Sequence, residues 1–161
     1  MSAISVRVAG VDDAQTVARL MTALNDAVGP AYGLARTPEN ITVSAEQARR
    51  RIERMAGVER VLLAEDGGAS VGLLSLRIVP YLSEDTPYAE VTELFVVPEK
   101  RRRGVARRLL AEAEGIARGR GCTSIHVNAW LDNGEAHELY RRTGYEGVEV
   151  GFEKRLPARS D

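Results

Sequence analysis

Cysteine occurs once in the 161 residues, at Cys122. That excludes an intramolecular disulfide, and no cysteine cluster can hold zinc. Histidine is almost as scarce, with His126 and His137 alone, so no metal site is expected. No apolar run approaches the roughly 20 residues of a membrane span. The start, MSAISVRVAGVDDAQ, lacks both the basic region and the apolar stretch of a secretory signal. A cytoplasmic protein with no membrane partner is therefore expected. Net charge is lacking too: 22 Lys and Arg against 23 Asp and Glu leave −1. Binding nucleic acid through overall charge is not expected of such a chain. No internal repeat or low-complexity linker is visible.

What is present is an ordinary globular balance, 44% apolar and 28% charged, in a chain long enough to bury a real core. One domain over residues 1–161 is expected. Ser5 to Ala9 alternates as a strand. Asp12 to Val28 carries Ala14, Val17, Ala18, Met21, Leu24 and Val28 on one helical face. Residues 29–41 read as a loop. SAEQ at 44–47 fits a capping box before a second helix. Residues 60–65 and 70–79 read as strands joined by the turn DGGA, and 88–97 as a strand halted at Pro98. Val105 to Arg118 reads as a helix, 123–130 as a strand, the stretch around Ala136, Leu139 and Tyr140 as a short helix, and 148–156 as a last strand. The order β-α-α-β-β-β-α-β-α-β predicts an α/β fold, a mixed sheet with helices on its faces.

Glu93 to Gly121 raises a sharper point. A strand hands over to a helix through Lys100-Arg101-Arg102-Arg103-Gly104. The first N–H groups of a helix lack intrahelical partners, and the dipole adds positive potential there. Gly104 keeps side chains away from those groups, Ala106 is almost as small, and arginines suit phosphate oxygens. The pattern predicts a site for a di- or polyphosphate. A merely solvated turn is the competing reading, but it puts cations at the dipole's unfavourable end without a reason. The phosphate-loop pattern GxxxxGK[ST] and the dinucleotide pattern GxGxxG are both absent.

Arg101-x-x-Gly104-x-Ala106, directly after LFVVPE, resembles the acyl-CoA pyrophosphate loop of the GNAT superfamily of N-acetyltransferases. NGEAHELYRRTGY at 133–145 is similar to that superfamily's second signature. About 30 residues separate the two, the length of a βαβ crossover. The motif-bearing resemblance covers 88–145, and the element order agrees over nearly the whole chain. It implies an acetyl-CoA-dependent N-acetyltransferase acting on a primary amine of a small molecule or peptide. The backbone of Leu94, Phe95 and Val96 would pair with the pantetheine arm, and one N–H there would polarise the thioester carbonyl. Arg102, Arg103, Gly104, Val105, Ala106 and Arg107 would wrap the pyrophosphate. Asn133 would bond the arm, and Tyr140 would protonate the departing sulfur. A homodimer stays open.

Several residues have a structural alternative. Asn133 is a natural helix cap, and Tyr140 follows Leu139 at core spacing. His126 alternates with Ile125 and Val127 and so points to the other sheet face, in a structural role. For the base, Glu93 adjoins the proposed pantetheine strand and Glu90 is the second candidate. Strict alternation puts Glu93 on the face of Val91 and Phe95, with Glu90 opposite; a bulge would change that register. The segments expected to set specificity are 29–43 and 80–88, the latter with Glu84 and Asp85. A catalytically silent acyl-CoA-binding domain and an RNA-binding role for the basic run stay as alternatives, though no aromatics interleave with those cations to stack bases.

Overall fold

The computed structural model describes residues 3–28 and 41–154; nearly all of the loop expected at 29–41 lies outside them. The residues group into two units, Met1–Val127 and Asn128–Asp161. In the first, Ser5–Val8 forms β1, Ala14–Val28 α1, Ala45–Met55 α2, Glu59–Asp66 β2, Ala69–Val79 β3, Tyr88–Val96 β4, Val105–Gly119 α3 and Ile125–Val127 β5. The second holds Gly134–Arg142, α4.

Local sequence explains several of these boundaries. The Ser44 hydroxyl accepts from the Gln47 N–H at 3.1 Å while the Gln47 side chain accepts from the Ser44 N–H at 2.8 Å. This reciprocal cap satisfies two otherwise orphan donors at the start of α2. Asp66 pairs with Ala69 across Gly67 and Gly68, whose φ angles are +60° and +83°. Two left-handed residues in a two-residue loop match the twist of the hairpin, which is why glycines stand there.

The strands lie in the order β1-β2-β3-β4-β5. The first four are antiparallel, and β5 runs parallel to β4. One face packs on α1 and α2: Leu63, Leu73 and Phe95 share a buried cluster with Ala14, Val17, Ala18, Leu20 and Ala48. The other face meets α3, where Val105, Leu109, Leu110, Ala113 and Ala117 are buried. Each fully buried leucine of this double core contributes about 2 kcal/mol.

Two expectations about the strands are corrected. Residues 148–154 form no strand, and 155–156 lie outside the described residues. Val148, Val150 and Phe152 alternate as strand residues would, but all three are exposed. Alternation suggests a strand only where a neighbour accepts its ladder bonds. The second correction concerns β4. Glu93 is opposite Ser75 but Val91 is opposite Leu76, so Thr92 is an extra residue, a β-bulge. Paired residues share a face. Glu93 therefore lies with Ser75 and Phe95 on the α1/α2 face, and Val91 lies on the α3 face. Glu90, opposite Arg77, joins Glu93 on the α1/α2 face, where strict alternation would separate the two.

Candidate active site

The end of β4 is an open edge. Val97 donates to the Val71 carbonyl at 3.0 Å, and Gly72 stands opposite Val96. Amide directions alternate along an antiparallel ladder, so Leu94 and Val96 turn their N–H and C=O groups away from β3, while Phe95 turns its own toward β3. Below the bulge the outward residues are Ala89 and Val91, and these face β5: Ala89 donates to the Ser124 carbonyl at 2.9 Å. β5 pairs no further than Val127, opposite Val91. Among the described strands none covers Leu94 and Val96. Of the three residues expected to pair with a pantetheine arm, two thus present their amides outward.

The strand then runs into the arginine loop. Arg101 is extended, Arg102 has φ 61° and Gly104 φ 81° before α3 begins at Val105. Arg102 is the one non-glycine described residue with positive φ. Left-handed residues at a helix start curve successive N–H groups into a concave anion cradle. The first helical bond runs from the Arg108 N–H to the Gly104 carbonyl at 3.0 Å, so the N–H groups of Val105, Ala106 and Arg107 have no intrahelical acceptor. A Cβ on Gly104 would meet no atom within 4 Å; the glycine is required by its φ and leaves the cradle open. Arg102, Arg103 and Arg107 are exposed around it.

Neighbouring residues fix this loop, and the sequence did not assign them that role. The Arg101 Nε donates to the Val96 carbonyl at 3.1 Å, and its guanidinium lies 6.0 Å from the centre of the Phe95 ring. Lys100 bonds Asp66 at 2.8 Å, tying the loop to the β2–β3 turn. That bond, with Arg103 nearby, holds the Asp66 carboxyl below its ordinary value. Gly72 lets α3 approach: a Cβ there would lie 3.1 Å from Val105 Cγ1 and 3.2 Å from Leu109 Cδ1.

On the α1/α2 face, Glu59 is buried and accepts from Arg51 at 2.8 and 3.1 Å and from the Ser75 hydroxyl at 3.0 Å, with Arg77 at 3.9 Å. Arg51 also feels the charge of Glu93, and the Thr92 hydroxyl donates to the Glu93 carboxylate. A carboxylate held by a hydroxyl at the foot of an open strand edge can take a proton from a bound amine. Arg51, Glu59 and Ser75 lie on α2, β2 and β3, with Glu59 8 residues from Arg51 and 16 from Ser75, so no local motif could have announced their cluster.

In the second unit, Asn133 Oδ1 accepts from the Ala136 N–H at 3.1 Å. Asn133 is therefore the N-cap of α4, one of the two roles its sequence position left open, and its amide nitrogen still offers two donors. The Tyr140 ring lies 5.9 Å from that of Tyr145. Burial pushes the Tyr140 phenol above its ordinary value, so it keeps its proton through neutral pH. Burial also raises the Cys122 thiol, so it is not poised as a nucleophile.

The sequence profile of the Acetyltransferase (GNAT) family matches residues 23–145. The aminoalkylphosphonate N-acetyltransferase of Salmonella typhimurium is 33% identical over 94 residues, 58% of this chain and 61% of that protein. An aminoglycoside N(6')-acetyltransferase type 1 of Klebsiella aerogenes is 35% identical over 106 residues, 65% of this chain and 68% of that one. In fold, the chain is similar to an aminoglycoside acetyltransferase from an uncultured soil metagenomic sample, solved with trehalose: TM-score 0.78 at 18% identity, over 96% of this chain and 97% of the other. No helix among the described residues is long and apolar enough to cross a membrane. With a family match that takes in the open edge of β4, the arginine cradle and Tyr140, the chain belongs to the GNAT family of acetyltransferases.

Proposed function

We propose that the chain moves an acetyl group from acetyl-CoA to a primary amine by direct attack of the amine on the thioester carbon. The observation that carries this reading is the continuity of the open β4 edge with the arginine cradle. Outward amides at Leu94 and Val96 suit an extended arm, and a helix start ringed by Arg102, Arg103 and Arg107 suits a pyrophosphate. Acetyl-CoA, when bound, supplies the activated acyl carbon. Residues 1–161 act as one domain in this reading, which the family match supports by running through both units.

The chain's own groups divide the work. Glu93, directly or through a water, takes a proton from the bound ammonium so that a neutral nitrogen can attack. An outward N–H of β4 stabilises the charge that grows on the carbonyl oxygen. A carbon–nitrogen bond forms, the carbon–sulfur bond breaks and Tyr140 gives its proton to the leaving thiolate, while the nitrogen, cationic once bonded to carbon, loses its second proton through solvent to the tyrosinate, which restores the phenol. Asn133 holds the arm with its free amide donors. Relatives named for aminoglycoside and aminoalkylphosphonate acetylation support a small amine as the acceptor. The test is release of free thiol from acetyl-CoA when a panel of primary amines is added. Acetyl-CoA binding with no thiol release from any amine would identify a silent binder instead.

A further inference from the structure

The bulge at Thr92 does more than reorient one side chain. Glu93 and Glu90 stand opposite Ser75 and Arg77, which are two residues apart on β3. The two side chains therefore leave one face of the sheet from backbone positions about 7 Å apart along the strand, at the usual strand rise. Without the extra residue they would point to opposite faces. The Glu90 carboxylate is flanked by two potential cations, yet neither engages it. Arg77, opposite on β3, turns its guanidinium toward Glu59, 3.9 Å away. His126, opposite on β5, is turned to the Ser124 hydroxyl at 3.1 Å and to the Tyr88 ring, centre to centre 4.8 Å. Tyr88 in turn packs on Tyr81 at 4.6 Å. Among the described residues Glu90 has no ion-pair partner, and it is half-buried on the sheet face that also carries Tyr88, two residues before it on β4.

A carboxylate next to aromatic faces suits an organic ammonium, which gains both an ion pair and cation–π contact. A partner that stays charged throughout the reaction fits this place. Resting on the proposed acetyl transfer, we infer that the acceptor is a diammonium. One nitrogen is deprotonated and acetylated at Glu93. The other stays cationic, held by Glu90 and the Tyr88–Tyr81 rings. The ~7 Å spacing fits amines joined by about four or five methylenes. Glu90 is thus a specificity residue: it binds the far end equally in ground and transition states, and its loss acts on KM.

The experiment compares cadaverine with pentylamine, and putrescine with butylamine, in parent and Glu90→Gln proteins. Thiol release gives kcat and KM, and calorimetry gives diamine binding in the presence of CoA. The parent is expected to prefer each diamine by at least about tenfold in kcat/KM. In Glu90→Gln that preference should fall about tenfold, through KM, with calorimetric diamine affinity falling alike. Tyr88→Leu, which keeps an apolar side chain but removes the ring face, should move the ratio in the same direction. Equal use of diamine and monoamine by the parent would overturn the diammonium site and leave the acetyltransferase reading standing. A Glu90→Gln loss of kcat shared by both amines would overturn it too, since it would make Glu90 the base. Diamine binding that depends on Glu90, with no thiol released from any amine, would support the site and sink the acetyl transfer.

Discussion

Arg101 reaches back from the arginine loop to the last carbonyl of β4, its Nε 3.1 Å from the Val96 oxygen. The guanidinium also covers the Phe95 ring, so the loop's position is read directly from the end of the strand. Arg101→Ala removes a hydrogen bond from a charged donor together with the ring contact. Such a bond contributes about 1.5–3 kcal/mol. CoA affinity should fall roughly tenfold or more while far-ultraviolet dichroism stays unchanged. Unchanged affinity by calorimetry would mean that the cradle holds its shape without this tie.

Gly104 separates two effects that usually travel together. At φ 81° any side chain is strained, although nothing lies within 4 Å of a Cβ there. Gly104→Ala should cost about 1 kcal/mol of stability and leave the space for the anion open. Gly104→Glu adds a negative charge at the cradle and should weaken acetyl-CoA binding at least tenfold, about 1.4 kcal/mol. Equal affinities for the two variants would argue against a pyrophosphate at this helix start.

Tyr140→Phe keeps the ring and removes the proton. With acetyl-CoA saturating, kcat should fall on the order of 100-fold, with little change in cofactor affinity. Because burial raises the phenol, the active protonated form persists through neutral pH. The parent should lose activity only above the ordinary tyrosine value of about 10, and Tyr140→Phe should lack that alkaline loss. A pH–rate profile of both proteins with one amine decides the matter; an unchanged kcat would assign the proton to another donor.

Glu93 is tested by the opposite limb. An alkyl amine with a pKa of about 10.4 is mostly ammonium near neutrality, so turnover should rise with pH. Glu93→Gln should lose most near pH 7 and least in alkali, where hydroxide and free amine are abundant. Parallel kcat/KM profiles for parent and variant at every pH would remove Glu93 from the reaction.

Glu59 carries stability rather than chemistry. It is buried, and Arg51 and Ser75 both bond it. Replacing it with Gln breaks the fork and leaves the half-exposed Arg51 guanidinium to solvent. The cost should be about 1.5–3 kcal/mol, that of a lost hydrogen bond to a charged group. Urea unfolding measures it; a shift below about 0.5 kcal/mol would show that the cluster contributes no more than an exposed surface pair.

The sequence by itself determined most of the elements and the backbone form of the arginine loop. Ser44 and Gln47 announced the start of α2, Gly67 and Gly68 the hairpin, and Pro98 the end of β4, because each of these acts on its own backbone or on residues a few positions away. The arginine cradle was legible for the same reason: a left-handed glycine, small neighbours and a helix start are contiguous. The face of Glu93 was not. One unpaired residue at Thr92 decides it, and that residue is extra only relative to β3. Nor could the local sequence show that Arg101 would bind the strand end, that Glu59 would gather Arg51 and Ser75, or that Val148–Phe152 would alternate without a ladder. These depend on which chain segment lies alongside. A backbone rule is written in neighbouring residues, whereas a cross-strand partner is chosen only when distant segments pack.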